Sequence, residues 1–475
     1  MSFPSPVRLS SSRARYWAGG SLLLLLVGLG PGCSASDAPS GSGGSVNASG
    51  GSGGTVGDGG GSGGLAASGG TTSGGASAGG ASGTGGDGAG GAAPGGGGDG
   101  SGGAPSGDGG APGGAGGSTG SGYPHGVRPT TISDDHLAAA WSRWKENWVE
   151  TCPGGAARVI WDQPENTVSE GIGYGMLGAV GNDDRELFDG FWKYYQQNVN
   201  ERGVMHWKRG GCEGTKPDDN SDNGASDAEL DVAMALIQAE CKWKDAKYGT
   251  DADALISRIF EHETVVEGGL RLLKPGDAFG GADCQNASYF APAYYRLFAE
   301  RPAQAARKND WLKLASDSYV LLERFAHPTT GFVPNWSDAN GNTSTSGPSG
   351  CNWYTDAHIF GTDAIRTPFR IAVDYLLFGT PEAKTWLNRV TDFVDSQDIT
   401  KVGRKFNLDG TPYGEIDHSI ISVGAFANAA MASTQDVADR FALEAVTVDD
   451  HKYFPDSLRV LYFLVLTGRF TPCAE

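Results

Sequence analysis

Residues 34–122 of this 475-residue chain are almost entirely Gly, Ser and Ala, and this run limits where a fold can form. It holds most of the 77 glycines of the chain. Such a segment has too little apolar surface to offset the backbone entropy that folding would remove. It also lacks the strict period of a repeat protein. The composition therefore predicts a flexible, disordered linker and leaves residues 123–475 as the part that can fold.

The first 33 residues have the layout of a secretory signal peptide. Arginines at positions 8, 13 and 15 precede an apolar run over residues 22–29, which is too short to span a bilayer as a helix. Cys33 follows this run, as the lipidated cysteine does in bacterial lipoproteins. We therefore predict an exported protein that is anchored at a cell surface or outer membrane through lipidated Cys33. Ordinary signal-peptide cleavage and free secretion is the alternative.

The formal net charge of −19 disfavours nucleic acids and anionic membrane surfaces as partners, because both would be repelled. This charge fits a neutral or cationic substrate, and we predict a monomer that touches a membrane only through its lipid anchor.

Six cysteines accompany Cys33, and an even number in an exported chain predicts disulfides whose pairing the sequence leaves open. Their spacing is unlike that of structural zinc sites. They are Cys152, Cys212, Cys241, Cys284, Cys351 and Cys473.

Apolar residues recur at helical spacing in many parts of residues 123–475, where strand-like alternation is scarce. The clearest helix faces are formed by Leu137, Trp141, Trp144 and Trp148; by Phe188, Phe191, Trp192 and Tyr195; by Leu230, Met234 and Ile237; and by Leu312, Ala315, Tyr319 and Leu322. Further helices are predicted over 288–298, 363–377, 381–394, 437–445 and 457–466. About ten helices without a second linker predict one all-α domain, with its functional groups on loops and helix ends.

The segment TVSEGIGYGMLGA, over 167–179, places the carboxyl group of Glu170 among small, aromatic and apolar residues at the start of a predicted buried helix. Burial disfavours the charged form of a carboxyl group, so its pKa should rise. A carboxyl group that keeps its proton near neutral pH can act as a general acid.

A second acidic segment, over 224–243, changes from polar residues to an apolar helix face. Ser226 or Asp227 can cap this helix, but capping does not explain three acids in five residues, Asp227, Glu229 and Asp231. The preceding acids approach the spacing of a calcium-binding EF-hand loop, but Asn223 stands where that loop needs glycine. We therefore predict no metal site here.

The third segment, over 361–379, places Asp363 before a long apolar helix, with Arg366 three residues later. Taken alone, Asp363 fits a helix cap paired with Arg366.

Three segments, in this order, resemble the motifs of glycoside hydrolase family 8, which contains endoglucanases, xylanases, lichenases and chitosanases. They are SEGIGYGM over 169–176, ASDAELDVA over 225–233 and DAIRTPFR over 363–370. Smaller matches are PGDAFGG, NASYFAPAYY and HKYFPDSLRVL. The chain departs from the family pattern at Glu229, where aspartate is usual, and at Phe279, where tryptophan is common.

The resemblance implies an all-α (α/α)6 barrel, with a substrate cleft across one end, over residues 123–475. It also implies inverting hydrolysis by the subfamily whose base is an aspartate. Glu170 would be the general acid and Asp363 the base, with Arg366 beside it, and Asp227 would bind the sugar at the cleavage point. No cofactor is required by this chemistry.

Aromatic side chains stack on the apolar faces of sugars, and the candidates here are Trp161, Trp207, Phe279, Tyr289 and Tyr453. We predict endo-cleavage of a β-1,4-linked polysaccharide, cellulose or mixed-linkage β-glucan. Chitosan and xylan are alternative substrates, although the chitosan-cleaving branch tends to use a glutamate base placed elsewhere. A catalytically inactive glycan-binding protein of the cell surface is the alternative from another class.

Overall fold

The computed structural model describes residues 123–218, 220–352 and 354–472, so the predicted signal peptide, Cys33 and the linker lie outside the described residues. The described part contains twelve α-helices and three short pairs of antiparallel strands. The helices are α1 (Asp134–Trp148), α2 (Ser169–Gly181), α3 (Arg185–Gln197), α4 (Ser226–Trp243), α5 (Ala246–Glu263), α6 (Pro292–Ala299), α7 (Lys308–Phe325), α8 (Thr367–Phe378), α9 (Pro381–Ser396), α10 (Ile420–Ala430), α11 (Gln435–Thr447) and α12 (Tyr453–Leu466). The strands are β1 (Val149–Thr151), β2 (Ala157–Val159), β3 (Asn166–Val168), β4 (Lys208–Gly210), β5 (Thr264–Glu267) and β6 (Leu270–Leu273).

The helices form two concentric rings. Around the inner ring, α12 packs on α2, α2 on α4, α6 on α8, α8 on α10 and α10 on α12. The hydroxyl of Tyr294 on α6 donates to Asp231 on α4, which closes the ring. Each odd-numbered helix packs outside an inner one. The predicted (α/α)6 barrel is therefore confirmed.

The position of a helix in the two rings explains its sequence pattern. Outer helices such as α3 bury one face, so they show helical periodicity, whereas every residue of α10 is buried. The sequence prediction missed α10 because this helix has no polar face. It also missed α5, because the first half of that helix contains turn-favouring Gly249 and Asp251. The single helix predicted over 288–298 is wrong: a 3₁₀ turn, Ala287–Tyr289, precedes α6, which begins at Pro292.

Disulfides join Cys152 to Cys212 and Cys284 to Cys351, and Cys241 is disulfide-bonded as well. The prediction of disulfides is confirmed, and Cys473 lies outside the described residues.

Among the described helices, none combines the length and apolarity needed to cross a bilayer.

The β3–β4 pair leads directly into α2 and fixes the start of that helix. Val168 pairs with Lys208, and the next amide, that of Ser169, donates to the carbonyl of Trp207 over 2.9 Å. A side chain at Gly171 would meet the hydroxyl of Tyr453 at 2.7 Å, so glycine is needed for α12 to approach the first turn of α2. These contacts place Glu170 between the Trp207 and Tyr453 segments.

Candidate active site

A cleft of about 490 Å³ lies at the end of the barrel where the inner helices begin. Residues at the first turns of α2, α4, α10 and α12 line it, together with the segment that precedes α8. All three acids singled out by the sequence motifs face this cleft: Glu170, Asp227 and Asp363. Residues far apart along the chain therefore meet in one place.

Arg366 connects the three acids. Its Nη1 lies 2.6 Å from Oε2 of Glu170, 2.9 Å from Oδ2 of Asp227 and 2.9 Å from the hydroxyl of Tyr174. Its Nη2 lies 3.5 Å from Oδ1 of Asp363. Sequence spacing predicted only the Asp363 contact, yet the shorter contacts of Arg366 are those to Glu170 and Asp227. The side chain of Arg366 is only 3% exposed, so its charge acts on these acids with little screening by water.

A second buried ion pair lies one helical turn deeper. Asp231 follows Asp227 by four residues on α4, and Arg370 on α8 follows Arg366, the residue just before that helix, by four residues. The two oxygens of Asp231 accept hydrogen bonds from the two terminal nitrogens of Arg370 in a fork-to-fork arrangement. This pair holds α4 and α8 in register below the cleft.

The pKa of Glu170 is raised to about 7. Burial of the carboxyl group is the main cause, the nearby charges of Asp227 and Asp363 add to it, and Arg366 opposes it. The Glu170 side chain is still 21% exposed at the cleft surface, so a bound molecule can reach it. Glu170 can therefore hold a proton near neutral pH and donate it into the cleft.

Asp363 is 18% exposed and sits among hydrogen-bond donors. Burial raises the pKa of Asp363 above its ordinary value, while Arg366 and hydrogen bonds from Trp336 and Tyr354 oppose the rise. The indole Nε1 of Trp336 donates to Oδ2 of Asp363 over 2.8 Å. The side-chain oxygen of Asn335 accepts three backbone hydrogen bonds, from residues 361, 363 and 364, and so fixes the turn that carries Asp363. These donors and Arg366 therefore offset part of the rise in the pKa of Asp363 that burial causes.

The alternative role of Asp227 and Asp363 as helix caps is not found. Helix α4 begins without a side-chain cap because Ser226 donates to the carbonyl of Lys274 over 2.7 Å, while Asp227 accepts from Arg366. Asp363 likewise makes no cap hydrogen bond. Asp227 is only 3% exposed and remains at the floor of the cleft.

Glu229 in the second segment, and Asp218 and Asp222 before it, have structural contacts. Glu229 is fully buried and accepts from the backbone amide of Met205 over 3.2 Å. Asp218 pairs with Lys208, and Asp222 pairs with Arg209.

The structure separates the five aromatic candidates into three groups. Trp161, Trp207 and Tyr289 line the cleft and are partly exposed. Tyr453 also lines it, but the residue is only 1% exposed and its hydroxyl lies 3.4 Å from Oε1 of Glu170. The buried ring leaves little face for stacking, so its contact with Glu170 is the more informative feature. Phe279 packs instead in a second apolar cluster, formed by Cys284, Trp336, Cys351 and Ala357, which Tyr289 also contacts.

The sequence motifs did not reveal four residues of the site. Tyr174 contacts Arg366 and lies one helical turn after Glu170, which is a signal that spacing could have supplied. Asn335, Trp336 and Tyr354 belong to irregular segments whose fold has no periodic signal.

Known proteins similar to this chain identify its family. The family model described as glycosyl hydrolases family 8 matches residues 128–468. The chain belongs to glycosyl hydrolase family 8. It is 34% identical over 363 residues to "Endoglucanase 2" of Ruminiclostridium josui, which covers 73% of this chain and 75% of that protein. It is also 34% identical over 366 residues to "Endoglucanase A" of Acetivibrio thermocellus, which covers 73% of each chain.

Solved family 8 structures share the fold. The "Beta-1,3-1,4-glucanase from Paenibacillus sp.X4" superposes with a TM-score of 0.65 at 22% sequence identity, over 73% of this chain and 96% of that one. As a member of family 8, this protein is a hydrolase of glycosidic bonds.

Proposed function

We propose that this protein is an endo-acting β-1,4-glycanase that cleaves cellulose or mixed-linkage β-glucan with inversion at the anomeric carbon. The names of its relatives, endoglucanases and a β-glucanase, support the substrate class. The observation that carries the proposal is a pair of carboxyl groups in an open cleft: Glu170 contacts one terminal nitrogen of Arg366 and Asp363 contacts the other. Glycoside hydrolysis needs such a pair.

Glu170 is the proposed general acid. Breaking a glycosidic bond requires a proton on the leaving oxygen, and the raised pKa of Glu170 keeps that proton available near neutral pH. As the bond breaks, positive charge develops on the sugar ring. Asp227 is buried at the cleft floor and held by Arg366, and it would accept hydrogen bonds from the sugar at that position and help hold a distorted ring.

Asp363 is the proposed general base, which takes a proton from the attacking water. Hydrogen bonds from Trp336 and Tyr354, together with the charge of Arg366, favour its ionised form. In an inverting enzyme the water sits between base and sugar, and the two carboxyl groups are typically about 6.5 to 9.5 Å apart. Trp161, Trp207 and Tyr289 would bind neighbouring sugars, since each presents part of an aromatic face to the cleft.

We also propose export of the protein, with residues 34–122 acting as a linker between lipidated Cys33 and the catalytic domain over 123–475. The disulfides support export, because such bonds persist in oxidising compartments.

The pH dependence of kcat/KM should be bell-shaped. Activity is expected to fall as the pH rises through about 7, because Glu170 then loses the proton that it must donate. Activity should also fall in acid, because protonated Asp363 cannot act as a base. Because the pKa of Asp363 is raised, the midpoint of this acid limb should lie at a higher pH than the ordinary pKa of aspartate. Initial rates from pH 3 to 10 measure both limbs. A rate that stays constant up to pH 9 would contradict the assignment of Glu170.

Soluble polysaccharides test the proposed activity directly. We expect the full-length protein to release reducing ends from mixed-linkage β-glucan and carboxymethyl cellulose, with a rapid early loss of viscosity because internal bonds are cut. Proton NMR of the first products should show the α-anomer, as inversion at a β-linkage requires. Faster release from xylan or chitosan would change the substrate, a β-anomeric product would overturn inversion, and no release from any glycan would favour a binding protein.

A further inference from the structure

The proposed base, Asp363, receives hydrogen bonds from two aromatic side chains, Trp336 and Tyr354. Trp336 donates through its indole nitrogen over 2.8 Å, and Tyr354 donates through its hydroxyl. These two residues flank an irregular segment, residues 337–353. In its described part, the only regular element is one 3₁₀ turn, Ser349–Cys351. Long irregular segments open more easily than helices, so a hydroxyl carried at the end of one needs anchoring to keep a fixed position.

The Cys284–Cys351 disulfide supplies a covalent anchor. It joins the end of the 3₁₀ turn, three residues before Tyr354, to a segment that the core holds in place. Both cysteines are fully buried. The neighbouring Gln285 exchanges backbone hydrogen bonds with Ser337 over 2.7 and 3.1 Å. One short stretch, residues 284–285, therefore ties down both ends of the segment.

Apolar packing connects this anchor to the catalytic group. Cys284, Cys351, Trp336 and Ala357 form the second apolar cluster, and Tyr354 packs against it. The backbone of Trp336 donates to the carbonyl of Ala357 over 3.0 Å, and the side chain of Asn335 donates to the carbonyl of Asp356 over 2.9 Å. The two donors to Asp363 are thus built onto the same cluster as the disulfide.

We propose that the Cys284–Cys351 disulfide, acting through Tyr354 and Trp336, holds Asp363 in the position from which it activates water. The two cysteines, Tyr354 and Trp336 are therefore positioning residues. The inference rests on the proposed role of Asp363 as the base. A misplacement of about 1 Å at a reacting group can cost roughly 100-fold in rate, so anchoring of this kind affects catalysis as well as stability. Other titratable or charged groups that face Asp363 are Glu170, Asp227, Tyr289 and Arg366.

The other disulfide provides a matched control. Cys152–Cys212 joins the end of β1 to the turn after β4, and its cysteines are 60 residues apart, against 67 for Cys284–Cys351. Closing loops of nearly equal length restricts the unfolded chain to a nearly equal extent. Removal of either disulfide should therefore lower the Tm by a similar amount, and a difference in catalysis would report on positioning.

The experiment compares two full-length double variants, Cys284→Ala with Cys351→Ala and Cys152→Ala with Cys212→Ala. We expect a lower Tm in both. In the first we expect kcat to fall about tenfold with little change in KM. Its acid limb should also move to higher pH, because fewer hydrogen bonds then favour the ionised base. The second should keep the kcat and the acid limb of the unmodified protein.

Tyr354→Phe tests the same inference if the double variant folds poorly. This variant removes only the hydroxyl, so the Tm should be nearly unchanged while the acid limb moves up by about one pH unit. An unshifted acid limb and an unchanged kcat in both Tyr354→Phe and the Cys284/Cys351 variant would overturn the inference. Asp363→Asn in the same assay distinguishes failure of this inference from failure of the proposed function. Normal turnover in that variant would overturn the role of Asp363 as the base.

Discussion

Glu170→Gln is expected to lower kcat by roughly 10²- to 10⁴-fold, which is the contribution typical of a general acid. Glutamine has the same shape and can hydrogen-bond to a glycosidic oxygen, but its amide protons are not acidic enough to be transferred. The side chain lies at the cleft surface, 21% exposed, so the fold should be kept. Reducing-end release from soluble β-glucan measures the loss, and thermal melting followed by circular dichroism verifies the fold.

Glu165→Gln is the matched control for this change. Glu165 is an exposed acid five residues earlier in the chain, in the turn before β3, and its substitution should leave kcat unchanged. Glycan binding by the Glu170→Gln variant, followed by calorimetry, should persist because the cleft keeps its shape. If Glu170→Gln releases sugar ends at the normal rate, another group must be the acid.

Arg366→Met should have the largest combined effect on stability and activity. The substitution leaves Asp227, which is 3% exposed, without its cationic partner in a site sheltered from water. Breaking a buried ion pair from one side typically lowers the free energy of unfolding by about 3 to 5 kcal/mol. Because Arg366 opposes the raised pKa of Asp363, its loss should also move the acid limb of the activity profile to higher pH. Urea unfolding and initial rates against pH measure the two effects.

Arg370→Met separates the structural effect from the catalytic one. Arg370 makes an equally buried pair with Asp231, one helical turn below the cleft, so a similar loss of stability is expected. Arg370 does not line the cleft in the part of the chain described here, so the acid limb should stay in place. If both variants shift the acid limb equally, the effect of Arg366 is not a local charge effect on Asp363.

The sequence predicted the fold class and the three acids, for different physical reasons. The outer helices bury one face, so their periodicity is visible in the sequence, whereas the uniformly apolar α10 has no such signal. Glu170 could be singled out because a carboxyl group among small and apolar residues is unusual. The barrel and the role of Asp363 came from the resemblance to family 8, because helix counts alone do not fix a topology.

The connections between the acids could not be predicted from local spacing. Arg366 was expected to pair with its neighbour Asp363. Its shortest contacts to acids are instead with Glu170 and Asp227, which are 196 and 139 residues away in the sequence. Tyr354 was missed because its contact with Asp363 depends on the fold of an irregular segment, which leaves no periodic pattern in the sequence. Tyr453 was expected to stack on sugar, but the close approach of α12 to Gly171 buries its ring.

The shared guanidinium of Arg366 has a consequence for the whole reaction cycle. In the proposed inverting mechanism, Glu170 ends a turnover without its proton, while Asp363 ends it with one taken from water. Both groups contact the same side chain, so the proton that Glu170 gives to the leaving sugar is matched by the proton that Asp363 takes from water, and the sum of charges around Arg366 stays constant. The total charge of the site is therefore the same before and after each cleavage. Loss of a proton from Asp363 and gain of one by Glu170 then return the enzyme to its starting form.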